Sequence, residues 1–291
     1  TTLFRSIFIL VDDMGFSDLG CFGGEIDTPN IDKLGYEGIR FSQFYFCAKC
    51  SPSRATLLTG LYPHQAGMGL LASRPGTDVI EEPPDGYVGD LSDDCATIAE
   101  ILKQHDYATY LSGKWHLSNN IYEEDETWPR NRGFDHHYGN ISGATSYFYP
   151  QRMFRDGEDV EDEALNDPDF YYTDAISDQA CEYIEMHENE HGEGKPFFMY
   201  VAYTCPHWPM HAKEEDIEKY KGRFDEGWDK LREKRLERLR EMGLMNPEWD
   251  LGEKGIREPD WEEVEDDEEY VKWLLRRMEV YAAMIDNMYQ G

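Results

Sequence analysis

This sequence lacks long hydrophobic runs and has few basic residues relative to acidic ones. No stretch of its 291 residues approaches the roughly 18 consecutive apolar residues that cross a membrane as a helix. The 28 Lys and Arg are outnumbered by 60 Asp and Glu, which gives a formal charge of -32. Because nucleic acids and anionic membranes bind proteins mainly through Lys and Arg, this balance argues against both as partners.

Cysteines are few and scattered, unlike the dense framework of a small disulfide-stapled domain. The first residues, 1–5, also lack the basic-then-apolar layout of a signal peptide. Neither observation reveals the compartment of the protein. The cysteines are Cys21, Cys47, Cys50, Cys95, Cys181 and Cys205.

Apolar residues make up 40% of the chain and aromatic residues 14%, as in folded globular proteins. This length suffices to bury one substantial core or two small ones. Of the 60 acidic residues, 22 lie in residues 212–270, a segment whose pattern predicts a charged helical insertion. Much of the negative charge is therefore expected away from a site built from the first 210 or so residues.

Three apolar segments are each followed by polar residues of types that bind ligands or take part in catalysis. Such short continuous runs are typical of buried parallel strands, and open α/β sheets bind ligands beyond the carboxyl ends of their strands. Residues 6–11 lead into Asp12 and Asp13, residues 107–112 into Lys114 and His116, and residues 196–203 into His207.

Helical patterns with apolar residues three and four apart lie between and after these strands. The alternation predicts an α/β fold with a largely parallel central sheet flanked by helices. Residues 118–170, rich in Gly, Tyr, Asn and Asp, are expected to form loops. The predicted helices span residues 96–105, 172–187 and 270–288.

The sharpest local pattern begins at Cys50. Pro52 suits the first turn of a helix and Gly60 its end, so Cys50 is expected at the helix N-terminus, where backbone N–H groups favour negative charge. Arg54, four residues on, lies on the same face. The pattern predicts an anion site. A buried structural thiol, or a redox or zinc pair of Cys47 and Cys50, are the alternatives.

This element, Cys50-x-Pro52-x-Arg54 with a Leu-Thr-Gly ending, resembles the signature of the formylglycine-dependent sulfatases. The resemblance implies that Cys50 is oxidised to formylglycine by a formylglycine-generating or anaerobic sulfatase-maturating enzyme, and that the hydrated aldehyde supplies the nucleophile. It also implies a metal site of Asp12, Asp13 and residue 50 for Ca²⁺, with Mg²⁺ possible, since hard oxygen ligands suit both ions. An Asp-Asp pair without such a context is usually a solvated turn.

Two more motifs extend the resemblance. Gly-Lys114-Trp-His116 matches a family motif whose Lys contacts the sulfate and whose His contacts the formylglycine hydroxyl, although Ser118 stands where Gly is usual. Pro-His207-Trp-Pro matches the family histidine that binds sulfate and helps protonate the leaving oxygen.

The resemblance implies an alkaline-phosphatase-like sulfatase domain, closest in appearance to bacterial-type arylsulfatases, and covers nearly the whole chain as the N-terminal part of one catalytic domain. The expected activity is hydrolysis of sulfate esters of small molecules or glycans. A phosphonate or phosphate ester hydrolase and an inactive sulfatase-like binding protein are the alternatives. A periplasmic or secreted location is implied by the family alone.

The family's next strand ends in Asp-Asn-Gly, which supplies further metal ligands, and a catalytic Lys follows it. Neither occurs in this sequence, so the chain is expected to stop before the later strands and the C-terminal subdomain. Taken alone, it is expected to be inactive and to bind Ca²⁺ weakly, because that ion prefers about six to eight oxygen ligands.

Overall fold

The computed structural model describes residues 4–72, 83–255 and 258–290. The strands, numbered in chain order, are β1 (Arg5–Leu10), β2 (Ala108–Gly113), β3 (His136–Asn140), β4 (Met153–Arg155), β5 (Glu158–Asp159) and β6 (Phe197–Ala202). The helices are α1 (Pro29–Glu37), α2 (Cys50–Thr59), α3 (Ile98–Lys103), α4 (Glu161–Asn166), α5 (Tyr172–His191), α6 (Glu214–Glu218), α7 (Trp228–Glu241), α8 (Trp261–Val264) and α9 (Glu268–Gln290).

The chain divides into two compact units. One, the sheet unit, comprises Thr1–Asp12 and Tyr45–Thr204, and the other, the helical unit, comprises Asp13–Phe44 and Cys205–Gly291. The expectation of a single catalytic domain with a charged insertion at about 212–270 stays a prediction. Within the described ranges, no helix combines the length and the apolar character needed to cross a membrane.

The sheet unit contains all six strands described, in the order β1-β6-β2-β3-β4-β5. The pairs β1·β6, β6·β2 and β2·β3 are parallel, whereas β4 and β5 add an antiparallel edge. Parallel neighbours require crossover connections, which the helices between the strands supply. The predicted α/β fold with a mostly parallel sheet is confirmed, as are the three strands that were predicted to lead into polar residues.

The core lies against the central strands. Every residue of β2 and β6 is buried, as their continuous apolar runs predicted. Strand β1 alternates instead: Phe8 packs against the core, while Ile7 and Ile9 are 45% and 49% exposed. Large buried side chains such as Trp115 and Phe198 each contribute about 1.5–3 kcal/mol through burial.

The expectation that residues 118–170 form only loops was wrong. Strands β3, β4 and β5 and helix α4 lie in this segment. The sequence of β3, His-His-Tyr-Gly-Asn, is polar and lacks an apolar alternation, so its strand state depends on pairing with β2 on one side and β4 on the other. Gly139 suits this crowded position, since a Cβ there would lie 2.0 Å from the carbonyl oxygen of Gly113.

The helical unit is built around α9, whose buried face includes Ala282, Met284 and Ile285. Helix α1 is attached through Asn30, whose Nδ2 donates to the carbonyl oxygen of Tyr289 at 2.8 Å. The charged segment 212–270 contains α6, α7 and α8. Its charges form ion pairs within the unit, for example Lys219 with Asp286 on α9 at 3.0 Å.

Candidate active site

Cys50 begins α2, as its sequence context predicted. Lys49, the N-cap residue, is extended and makes no side-chain cap hydrogen bond, and Gly60 ends the helix in the left-handed conformation at φ 71°. The first-turn N–H groups therefore remain available to an anion. Cys50 is partly buried, and its burial raises the pKa of the thiol, although Lys114 acts in the opposite direction.

Arg54 is fully enclosed, at 1% exposure. Its Nη1 donates to the hydroxyl of Tyr200 at 3.0 Å and to the carbonyl oxygen of Lys114 at 3.1 Å. Its Nε and Nη2 are buried and have no hydrogen-bond partner among the described residues. A buried donor without a partner costs about 1–3 kcal/mol, so the two groups call for a ligand that accepts hydrogen bonds.

Asp12 lies between two cationic side chains. Its Oδ2 accepts a short hydrogen bond from Lys114 Nζ and lies 3.5 Å from Arg54 Nη2. Asp12 is 5% exposed and Lys114 is 0% exposed. Two cations against one carboxylate leave an excess of positive charge here, although the chain as a whole carries -32. A local site for an anion is thus compatible with a strongly acidic protein.

His116 completes the cluster in the sheet unit. It is 8% exposed, and burial lowers its pKa well below 6.5, assisted by the charges of Lys114 and Arg54. Its Nδ1 is buried without a hydrogen-bond partner in the described part of the chain. A neutral imidazole at pH 7 is able to accept a proton. His116 also adopts a left-handed backbone conformation, at φ 56°.

Hydrogen bonds between strand ends hold this cluster in place. The N–H of Lys114 donates to the carbonyl oxygen of Ala202 at 2.8 Å, and the N–H of Tyr203 donates to that of Leu10 at 2.9 Å. Gly113 permits the approach, because a Cβ there would lie 2.1 Å from the Ala202 oxygen. Strands β1, β2 and β6 thus deliver their following residues to one edge of the sheet.

The remaining two predicted site residues lie in the helical unit. Nε2 of His207 is 3.6 Å from Oδ2 of Asp13, and its Nδ1 is 2.5 Å from the carbonyl oxygen of Trp208. The side chain of Asp13 is 54% exposed, whereas that of His207 is 11% exposed. Asp13 is in the left-handed conformation at φ 62°, a strained state that clusters at functional sites in proteins.

Two residues that support these side chains were missed in the sequence. Tyr200, on β6, holds Arg54, and Asp18 holds the loop that follows Asp13. Tyr200 is read as one more apolar residue of a buried strand. Its only sequence signal is a phenol hydroxyl in a fully buried run, since such a group needs a hydrogen-bond partner.

Asp12 in the sheet unit and Asp13 in the helical unit each carry a ligand type that suits a hard divalent cation. Both residues carry carboxylates, the ligands that Ca²⁺ and Mg²⁺ prefer. The thiol of unmodified Cys50 is a soft ligand and does not suit these ions, whereas an oxygen at position 50 would. The residues therefore fit the implied cation once residue 50 carries an oxygen.

A profile of the sulfatase family matches residues 6–290. The chain belongs to the sulfatase family. Among its relatives, an arylsulfatase of Klebsiella aerogenes is 35% identical over 97% of this chain, and an uncharacterized sulfatase of Schizosaccharomyces pombe is 34% identical over 96%. These alignments cover 59% and 51% of the two relatives, so the chain spans about half of their length.

Solved structures agree with this family assignment. The structure of Ps i-CgsB in complex with k-i-k-neocarrahexaose is 28% identical, has a TM-score of 0.64, and aligns with 83% of this chain and 56% of its own. This sulfatase chain therefore resembles members of its family in fold as well as in sequence.

Proposed function

We propose that this chain carries the nucleophile and the sulfate-binding side chains of a sulfate-ester hydrolase, in which Cys50 is converted to formylglycine. The observation that carries the proposal is Arg54, a fully buried guanidinium with two N–H groups that have no hydrogen-bond partner among the described residues. A sulfate would satisfy both groups, because its oxygens accept hydrogen bonds from the planar fork of the guanidinium and its negative charge complements the positive charge of Arg54.

The state of the thiol favours conversion over direct attack by sulfur. Burial raises the pKa of the Cys50 thiol, so the unmodified residue is largely protonated at neutral pH and reacts poorly. The same property weighs against a redox pair with Cys47. The Sγ of Cys47 lies 3.7 Å from Thr56 Oγ1, and neither Cys47 nor Cys50 forms a disulfide.

Two groups outside the unmodified chain complete the proposed chemistry. When present, the hydrated aldehyde supplies the hydroxyl that attacks sulfur, and a bound Ca²⁺ or Mg²⁺ neutralises negative charge. We assign Asp12, Asp13 and the oxygen of residue 50 as the cation ligands. A formylglycine-generating or anaerobic sulfatase-maturating enzyme is the partner that the conversion requires, and a periplasmic or secreted location is part of the same proposal.

The chain's own residues then have separate roles. Arg54 and Lys114 bind the sulfate oxygens and stabilise the charge that develops on them. His116, whose pKa is depressed, accepts a proton from the hydroxyl that remains on residue 50 after the alcohol has left, and the loss of this proton releases the sulfate and restores the aldehyde. His207 binds sulfate and donates a proton to the leaving oxygen.

The proposed substrate is a sulfate ester of an aromatic compound or a sugar. One relative is named an arylsulfatase, and one structural neighbour was solved in complex with k-i-k-neocarrahexaose, so similar proteins support an aromatic compound and a sugar as candidates. The charge excess of Arg54 and Lys114 over Asp12 favours an anion of either kind.

The test combines mass spectrometry with matched cysteine variants. After expression with a maturation enzyme, the peptide containing Cys50 should have the mass of the aldehyde. In the full-length protein, aryl sulfate turnover should be abolished in Cys50→Ala and retained in Cys47→Ala. An unconverted cysteine in every preparation, or equal losses in both variants, would overturn the proposal, and faster turnover of aryl phosphate would place the protein among phosphate ester hydrolases.

A further inference from the structure

Asp18 is the centre of a hydrogen-bond cluster in the helical unit. Its carboxylate accepts from the N–H of Gly15 at 2.7 Å, from the hydroxyl of Tyr281 at 2.6 Å, and from Nη1 of Arg235 at 2.6 Å. It is 5% exposed. The first bond closes the loop that begins at Asp13, and the other two tie this loop to helices α9 and α7.

The same tyrosine reaches Asp13. The hydroxyl of Tyr281 lies 3.4 Å from the carbonyl oxygen of Asp13, whose backbone is left-handed. For a residue other than glycine this conformation is unfavourable, although Asp tolerates it better than most. Contacts made by the surrounding structure must therefore maintain the conformation, and Tyr281 is positioned to do so.

Arg235 anchors the cluster from the charged segment. Its Nε and Nη2 donate to the two oxygens of Glu25 at 2.8 and 2.7 Å, while Nη1 reaches Asp18. Its side chain is 22% exposed, so much of the guanidinium is removed from water. A bidentate pair with a third charged partner fixes Arg235 more firmly than a surface ion pair would.

We propose that Asp18, held by Arg235 and Tyr281, is a positioning residue that sets the Asp13 carboxylate for its cation. This inference rests on the proposed function, which makes Asp13 a cation ligand. It also gives the charged segment 212–270 a role: α7 supports the cation-binding loop. Asp18 itself touches neither substrate nor cation, and it acts through the loop of residues 13–18.

The test is calorimetric titration of the purified, converted full-length protein with Ca²⁺ alone. Tyr281→Phe removes one hydroxyl, and we expect it to raise the Kd for Ca²⁺ about tenfold, as losses of such supporting contacts typically do. Tyr220→Phe is the matched control, because Tyr220 is buried in the same unit and its hydroxyl accepts from the N–H of Asp27 at 3.2 Å. Its Kd should equal that of the wild type.

A second variant and a rescue keep positioning distinct from folding. Asp18→Asn, which keeps the shape of the side chain, should raise the Kd for Ca²⁺ by about tenfold or more. Saturating Ca²⁺ should restore turnover to Tyr281→Phe but not to Asp13→Asn. If Asp18→Asn does not fold, the Kd of Tyr281→Phe for Ca²⁺ by itself tests the positioning role.

The outcomes separate the two proposals. If Asp13→Asn weakens Ca²⁺ binding while Tyr281→Phe binds like the wild type, the positioning role of the cluster is wrong and the proposed function stands. If Asp13→Asn itself binds Ca²⁺ normally, the assignment of Asp13 in the proposed function is wrong. Equal weakening in Tyr281→Phe and Tyr220→Phe would also overturn the positioning role.

Discussion

The Arg54 guanidinium donates a hydrogen bond to the main-chain carbonyl oxygen of Lys114 at 3.1 Å. Arg54 comes from a helix and Lys114 from the residue after a strand, so this bond connects two of the sequence motifs directly. It orients one edge of the guanidinium and leaves Nε and Nη2 without hydrogen-bond partners in the described part of the chain.

Replacing Arg54 by Lys should reduce kcat/KM for an aryl sulfate by about 100-fold or more, because a single ammonium cannot replace the fork of N–H groups. Inorganic sulfate should raise the Tm of the wild type, since it binds only the folded state, and should raise that of the variant much less. Steady-state kinetics and thermal unfolding measure the two effects.

Arg132→Lys is the control for that variant. Arg132 is equally buried, at 2% exposure, but its guanidinium donates to the carbonyl oxygens of Leu91 and Cys95 at 3.0 and 2.6 Å. Loss of these hydrogen bonds in Arg132→Lys should lower the unfolding free energy by about 1–3 kcal/mol with little change in kcat. Normal turnover in Arg54→Lys would show that Arg54, like Arg132, has only a structural role.

Tyr200→Phe should lower kcat by about tenfold, because Arg54 would lose the phenol that fixes its orientation, and orientation governs such contacts steeply. Tyr203→Phe removes a comparably buried hydroxyl that contacts Ser177 at 2.8 Å. Both variants should lose about 1 kcal/mol of stability. Only Tyr200→Phe should lose activity, and equal kcat values for the two would contradict the orienting role.

His137 should make the protein less stable in acid. Burial lowers its pKa from 6.5 to about 3, so between these values the unfolded chain binds a proton that the folded chain excludes. The stability contribution is complete above pH 6.5 and falls as the pH decreases towards 3, by up to about 1.4 kcal/mol per pH unit. Urea unfolding at about pH 7.5 and about pH 5 should show a smaller decrease for His137→Gln than for the wild type.

Thr97→Ala should destabilise the protein without changing its chemistry. Thr97 caps α3: its hydroxyl accepts from the N–H of Glu100 at 3.0 Å and donates to the carbonyl oxygen of Arg132 at 2.9 Å. We expect a loss of about 1–2 kcal/mol in chemical denaturation, largely restored by Thr97→Ser. An unchanged midpoint for Thr97→Ala would show that the cap is dispensable.

Local patterns carried most of what the sequence revealed. A continuous apolar run predicts the strand before Asp12. Pro52 and Gly60 predict the helix that begins at Cys50. Each depends on neighbours within about a dozen residues. The chemical roles assigned to the cluster came from the resemblance of these motifs to the sulfatase family.

Features that depend on distant partners were not predictable in this way. Strand β3 is polar and exists because β2 and β4 pair with it on both sides. Tyr200 meets Arg54 across 146 positions of sequence, and Arg235 meets Asp18 across 217. No periodicity or spacing within one segment encodes such contacts, which are set by the packing of whole elements.

Strand β6 lies between β1 and β2, so Arg5 and Ala108 both pair with Phe197. During synthesis on the ribosome, β1 has no strand to pair with, and β2 has only β3, until Phe197 has emerged. Contacts so far apart in the chain form late and slowly. Arg54 cannot meet Tyr200 before then. The order of strands thus delays the enclosure of the Arg54 guanidinium until most of the sheet unit has been made.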